Sequence, residues 1–151
     1  MKYVMLCDIR SHYNVGAIFR TCDGAGVAKV FLAGYTPAPV DRFGRLVPEI
    51  HKTALGAETT VPWESVIDAV ATLAKLKEEG FKVVVVEQVP GSVMLADFAV
   101  PTQVVYVLGS ETEGVPANVV ALADTVLELP MQGVKESLNV SVTAGIVLYH
   151  T

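Results

Sequence analysis

The chain has 151 residues, of which 52% are hydrophobic and 18% charged, enough to bury one full core without a disulfide or a structural metal. No apolar run approaches the roughly 18 residues of a membrane-spanning helix, and Met1 to Arg10 lacks the basic start and cleavage site of a secretory signal, so a cytoplasmic location is expected. The net charge of −5 excludes a uniformly basic coat, yet the sign is uneven: residues 1–52 carry seven Lys/Arg against four Asp/Glu, and the remainder four against twelve.

Counterions are released by the charge that is contacted and not by the global sum, so a basic patch in the first third of the chain is still compatible with RNA. The apolar excess points to a homo-oligomer, because a monomer of this size would leave apolar surface uncovered.

Tyr3 to Asp8 reads as a first strand, followed by a helix from Asn14 to Gly24 with Asn14 as N-cap and Gly24 and Gly26 at its end. Cys7 in the strand and Cys22 in the helix have no metal-ligand spacing and are expected to be reduced and buried. Lys29 to Ala33 is a second strand. Gly34 to Pro48, interrupted by Pro37, Pro39 and Gly44, cannot be regular; it presents Arg42 and Arg45 on a long loop, suited either to binding or to plain solvation.

Thr59 to Val61 reads as a short strand, and Glu64 to Glu79 as an amphipathic helix with Val66, Ile67, Val70, Leu73, Ala74 and Leu76 on its apolar face, ending at Gly80. Phe81 to Val86, Val104 to Leu108 and Thr125 to Leu129 are continuous apolar runs, the pattern of strands covered on both faces. Helices alternating with such strands predict an α/β fold with a mostly parallel sheet flanked by helices, in a single domain over residues 1–151.

The most unusual stretch is Leu129 to Val142. An apolar run stops at Pro130, crosses a polar loop around Gly133 and resumes with Asn139, Ser141 and Thr143 set among Leu138, Val140, Val142 and Ala144. These small polar groups are expected to enter the core, where each needs a partner, because an unsatisfied one costs about 1–3 kcal/mol. Ser137 to Tyr149 alternates like a strand but is too long for one without a turn, so it is read as a helix with Asn139 and Thr143 on one face and Ser137 and Ser141 on another.

Three clusters fall at strand-to-helix junctions, where ligands sit in open parallel sheets: Asn14 to Arg20, Gly109 to Gly114, and Pro130 to Ser141. A dinucleotide fingerprint is missing, since Gly24-Ala25-Gly26 lies at a helix end and no third glycine follows; a phosphate-binding P-loop is also absent. His12, His51 and His150 are isolated, and no metal is expected.

Together the clusters resemble those of the SpoU (TrmH-type) RNA 2′-O-methyltransferases of the SPOUT superfamily. The resemblance is carried by N-x-G-x-x-x-R from Asn14 to Arg20, Lys52-Thr53-Ala54-Leu55-Gly56-Ala57, G-x-E-x-x-G from Gly109 to Gly114, and the proline-ended strand followed by Ser137-Leu138-Asn139-Val140-Ser141. It implies a Rossmann-like sheet with a C-terminal trefoil knot, S-adenosylmethionine held there, and a homodimer. By similarity Gly109, Leu129, Leu138, Val86 and Met131 line the cofactor site.

The same resemblance gives the catalytic role to Arg20, with Asn14 and Glu111 positioning it or the ribose, and Ser137 and Asn139 holding the loop and touching the substrate. An arginine with a pKa above 12 is a poor base, so Arg20 is read as a fixed cation that orients and polarises the hydroxyl beside an RNA phosphate. Helix capping by Asn14 and Ser137 and a surface ion pair for Arg20 are the plain structural alternatives. Because the chain begins at its first strand and stops after its last helix, no separate RNA-binding domain is expected, and Arg10, Arg42, Arg45 and Lys52 are the candidate RNA contacts. The competing function is a catalytically silent RNA-binding dimer of the same fold.

Overall fold

The β-branched runs form the centre of the structure, a computed structural model that describes residues 1–151. Seven strands build one parallel sheet: β1 (Lys2–Cys7), β2 (Lys29–Ala33), β3 (Trp63–Val66), β4 (Lys82–Val86), β5 (Val93–Met94), β6 (Val104–Leu108) and β7 (Thr125–Glu128). Their spatial order is β3-β2-β1-β6-β4-β7-β5. In the central pairs Val4 lies opposite both Val30 and Tyr106. Every residue of β6 is buried, which is why its sequence shows no alternation.

Six helices cover the two faces: α1 (His12–Gly24), α2 (Pro48–Ala54), α3 (Ala57–Thr60), α4 (Ala69–Glu78), α5 (Ala117–Val120) and α6 (Val140–Leu148). On one face Val4, Leu6, Tyr106 and Leu108 pack against Ile18 and Phe19 of α1 and Ala144 and Leu148 of α6. On the other, Met5, Val83, Val85 and Val107 meet Leu73 and Leu76 of α4 and Val119 of α5. No helix is long and apolar enough to cross a membrane.

Cys7 and Cys22 are free and buried. Burial pushes both thiols up to about 12, so they remain protonated and inert.

Gly16 shows why α1 and α2 can touch. A side chain there would overlap Thr53 Oγ1 and the Ile50 carbonyl, and Thr53 Oγ1 donates to the Tyr13 carbonyl at 2.9 Å. The glycine of the first motif and the threonine of the second therefore meet at a single helix crossing.

Several expected elements are corrected. The first helix is capped by Ser11, whose Oγ accepts from the Asn14 amide at 3.1 Å; Asn14 is inside the helix, because Ser11 has the extended backbone a cap needs. Residues 57–60 are helical, and the strand expected at Thr59 to Val61 lies at Trp63–Val66 instead. That edge strand is half-buried and takes the first residues assigned to the helix, which starts only after Asp68, whose Oδ1 accepts from the Ala71 amide at 3.0 Å. Ile67, placed on an apolar helix face by its spacing, is 99% exposed.

The C-terminal stretch is corrected most. Ser137 and Asn139 are exposed, while Ser141 and Thr143 are half-buried, so the expected burial of a row of polar groups is not found. Asn139 is the N-cap of α6: its Oδ1 accepts from the Ser141 amide at 2.8 Å and the Ser141 hydroxyl at 2.6 Å. Ser137 precedes the helix and shares no helical face with Ser141.

Candidate active site

The carboxyl ends of β1, β4, β6 and β7 lead into loops on one edge of the sheet, and the loop after β6 is the most tightly built. Ser110 and Gly114 exchange backbone hydrogen bonds of 3.2 and 3.1 Å, while Ser110 Oγ accepts from the amides of Thr112 and Glu113. A Cβ on Gly109 would overlap the backbone of Gly114 and Val115, and Gly114, at φ +71°, has the Glu87 carboxylate where its side chain would be. Glu87 in turn accepts from the Val115 amide at 2.9 Å. Both glycines are required for the loop to fold back on β6.

This loop aims Glu111 at the start of α1. Its carboxylate accepts from the backbone amides of Arg10 and Ser11, both at 2.9 Å, and from Asn14 Nδ2 at 3.2 Å. Helix starts leave such amides without intrahelical partners, and a carboxylate suits their partial positive charge. Partial burial pushes the Glu111 carboxyl up, but the donors from Arg10, Ser11 and Asn14 outweigh it and hold the group below the ordinary carboxylate range.

Between the loops after β4, β6 and β7 lies a cleft of about 410 Å³, within the roughly 300–1,000 Å³ of small-molecule sites. Val86, Gly109, Leu129, Met131 and Leu138, assigned to a cofactor by resemblance, all line it, as do Glu111, Ser137 and Asn139. Four carboxylates, Glu87, Glu111, Glu113 and Glu136, line the same cleft, which contains no Lys, Arg or His. From Leu129 to Leu138 no main-chain group bonds to another backbone group; the Glu136 carbonyl accepts from Gln88 Nε2 at 2.8 Å, and the other main-chain donors and acceptors there are open to a ligand. No three of the chain's His, Cys, Asp and Glu side chains are grouped as a metal site.

The remaining candidates lie outside the cleft. Asn14 is joined to it only through Glu111. Arg20, six residues further along α1, is exposed and forms no ion pair, which removes the surface salt bridge as its explanation. Arg10 is exposed. Arg45 is paired with Asp41, its Nε 3.0 Å from Oδ2, and Lys52 Nζ lies 5.9 Å from the Tyr13 ring.

Over residues 1–149 the chain matches the model of the SpoU rRNA methylase family. The chain belongs to the SpoU rRNA methylase family. It is 34% identical over 148 residues to the 23S rRNA (guanosine-2′-O-)-methyltransferase RlmB of Neisseria meningitidis, matching 98% of this chain and 56% of that protein. Among solved structures, the TrmH/SpoU tRNA modifying enzyme of A. aeolicus superposes with a TM-score of 0.86 at 30% identity, covering 99% of this chain and 72% of that one. The AdoMet-bound rRNA methyltransferase of Sinorhizobium meliloti does so with a TM-score of 0.86 at 26% identity, covering 99% and 54%. The chain spans about half the length of the curated relatives it matches.

The SpoU-type parallel sheet flanked by helices is thus the observed architecture. Glu87, Gln88 and Thr143 line the cleft from outside the three clusters seen in the sequence, while Ser110, Glu113, Glu136 and Val140 lie inside those clusters without an individual role assigned to them. Glu87 and Gln88 had a usable signal, since they directly follow the buried strand β4 on the same edge as the recognised clusters. Glu113 and Glu136 fall within recognised clusters, but nothing marked either one singly, because a solvated glutamate looks the same wherever the chain carries it.

Proposed function

We propose that this chain is the catalytic domain of an S-adenosylmethionine-dependent methyltransferase acting on a ribose 2′-hydroxyl of tRNA or rRNA. The single observation that carries the proposal is the cleft, which combines apolar walls, a side-chain-free Gly109, open main-chain groups and an all-acidic set of charges. Leu129, Leu138, Met131 and Val86 offer a slot for a flat base, and the four carboxylates suit a cation while repelling the phosphates of a dinucleotide. S-adenosylmethionine meets both demands, and when bound it supplies an electrophilic methyl group on a positively charged sulfur.

The work left to the chain is to hold the ribose hydroxyl in line and stabilise its developing negative charge. Arg20 has the fixed charge for that task but stands outside its own chain's cleft. The proposal therefore includes a homodimer in which a second copy delivers it. The exposed face of α6 supports this, with Val142, Ile146 and Tyr149 at 50%, 41% and 60% exposure spaced i, i+4, i+7 along one side. Glu111 and Asn14 act as positioning residues by seating α1 on the cleft loop; Ser137 and Asn139 shape the rim.

A trefoil knot over the last three elements is part of the same reading, supported by family membership and by the insertion of β7 between β4 and β5 before the chain returns to α1 through α6. Joining the termini covalently in the folded protein and then denaturing it tests the knot: identical gel mobility to a chain joined while unfolded would refute it. A cytoplasmic location belongs to the reading as well, since structured RNA is its substrate.

Incubation with RNA and methyl-labelled S-adenosylmethionine, followed by mapping of the modified nucleotide, tests the activity. Label on a ribose oxygen is expected. Cofactor binding with no transfer to any RNA would instead favour the silent RNA-binding dimer.

A further inference from the structure

The long loop between β2 and α2 contains one ordered device, the turn from Asp41 to Arg45. Val40 and Leu46 pair antiparallel at its base, and the Asp41 amide donates to the Arg45 carbonyl at 2.8 Å. Asp41 Oδ1 accepts from the amides of Phe43 and Arg45 at 2.8 and 3.0 Å, and Gly44 turns the chain at φ +77°. At the tip Phe43 is 67% exposed, with the guanidiniums of Arg42 and Arg45 at 4.9 and 5.0 Å from its ring centroid.

Phe43 has no place in either core; its partners are the two cations. Arg45 binds Asp41 through Nε alone, which leaves its two terminal nitrogens without a hydrogen-bond partner. The root of the loop is anchored at the edge that holds the cleft: Thr36 Oγ1 lies 3.0 Å from the Leu6 carbonyl and accepts from the Ile9 amide at 3.1 Å, three residues before α1 begins at His12.

We infer that this turn is a preassembled docking point for an unpaired RNA strand, with Phe43 as the positioning residue that holds the two guanidiniums for phosphate and base. The inference rests on the RNA methyltransferase reading. Guanidinium planes stack on exposed bases and fork onto phosphates, and cations already seated on a ring lose less freedom on binding than free side chains do. A duplex keeps its bases stacked inside, so an unpaired strand is the ligand that uses both properties. An acidic protein segment would use the charge but not the stacking.

Fluorescence anisotropy with the full chain tests this, using a labelled single-stranded RNA, the same RNA annealed to its complement, and poly-glutamate, each over a potassium chloride series. Arg42→Ala and Arg45→Ala are expected to weaken single-strand binding and to reduce the slope of log K against log salt by about 0.7 for each phosphate that is no longer neutralised. Phe43→Ala removes no charge, yet an affinity loss of about tenfold is expected, with recovery in Phe43→Tyr.

Thermal unfolding and calorimetry with S-adenosylmethionine should be unchanged in all three alanine variants. Wild-type RNA affinity in Phe43→Ala, or an equal loss toward poly-glutamate, would overturn the inference. Wild-type chain that binds no S-adenosylmethionine would overturn the methyltransferase reading instead, so the two failures are separable.

Discussion

Glu111 Oε2 lies 3.2 Å from Asn14 Nδ2 while the same carboxylate accepts the Arg10 and Ser11 amides, so one side chain of the cleft loop holds the first turn of α1. The third residue of the G-x-E-x-x-G motif and the first of N-x-G-x-x-x-R are therefore parts of one clamp. Because Glu111 is held below the ordinary carboxylate range by the donors from Arg10, Ser11 and Asn14, its contribution to stability is present above the unfolded-state value and lost as pH falls through the folded one. Glu111→Gln should lower the melting temperature near neutrality and flatten its dependence on pH in the acid range. A melting curve series against pH checks this, and equal acid slopes in both proteins would remove the clamp.

Gly109→Ala should fail for a different reason. Its methyl group would overlap the Gly114–Val115 backbone, and backbone cannot rotate away as a side chain does, so the loop must shift at a cost of about 1–3 kcal/mol. The shift also moves the cleft wall. Chemical denaturation should show the stability loss, and calorimetry should show weakened S-adenosylmethionine binding, whereas Gly133→Ala, with nothing near its Cβ position, should change stability little.

The contrast between β2 and β3 shows where the sequence was legible. Lys29–Ala33 was readable to the residue because Val30 to Ala33 are buried and continuously apolar, as in a strand covered on both faces. Trp63–Val66 sits at the sheet edge with two of its four residues exposed, and its half-apolar pattern merges with the helix that follows; only Asp68 as a cap separates them. At the site, Gly109 and Gly114 were visible because close backbone approach selects glycine. Asn139 was visible too, but for the wrong reason. A cap and a buried polar group require the same small side chain, and only the solvent exposure of residues 132–139 distinguishes them.

Tyr106 offers a test of core energetics. Its side chain is fully buried in β6, its hydroxyl has no hydrogen-bond partner, and burial pushes the phenol up to about 12. A buried hydroxyl left unpaired costs about 1–3 kcal/mol, and replacing it with hydrogen removes that cost while keeping the ring. Tyr106→Phe should therefore raise the melting temperature, with the edge-on packing against Phe98 preserved. A lower melting temperature would mean that the hydroxyl is satisfied in solution.

The exposed face of α6 makes the dimer testable. Ile146 is 41% exposed between Val142 and Tyr149, so a glutamate there has no core to disturb in the single chain but would bury a charge between two copies. Ile146→Glu should leave the far-ultraviolet spectrum intact, convert a dimer to a monomer in light scattering, and abolish methyl transfer. Monomeric wild type, or an active monomeric variant, would contradict the assembly.

Arg20 connects the dimer to the chemistry. It is exposed, unpaired and absent from the cleft of its own chain, and a helix rise of 1.5 Å per residue puts it about 9 Å along the axis from Asn14. If Arg20 serves the partner's cleft, a chain with Arg20→Ala still offers an intact cleft, and a chain with Leu138→Arg still offers an intact Arg20. Each variant alone should be inactive as a homodimer. Refolded together, they should regain part of the wild-type methyl transfer, since the mixed dimer contains one complete site. Arg20→Lys keeps the charge and loses the planar fork, so it should stay well below wild type. Failure of the mixture to recover activity, with mixed dimers present by mass spectrometry, would return Arg20 to its own chain's cleft or to no catalytic role.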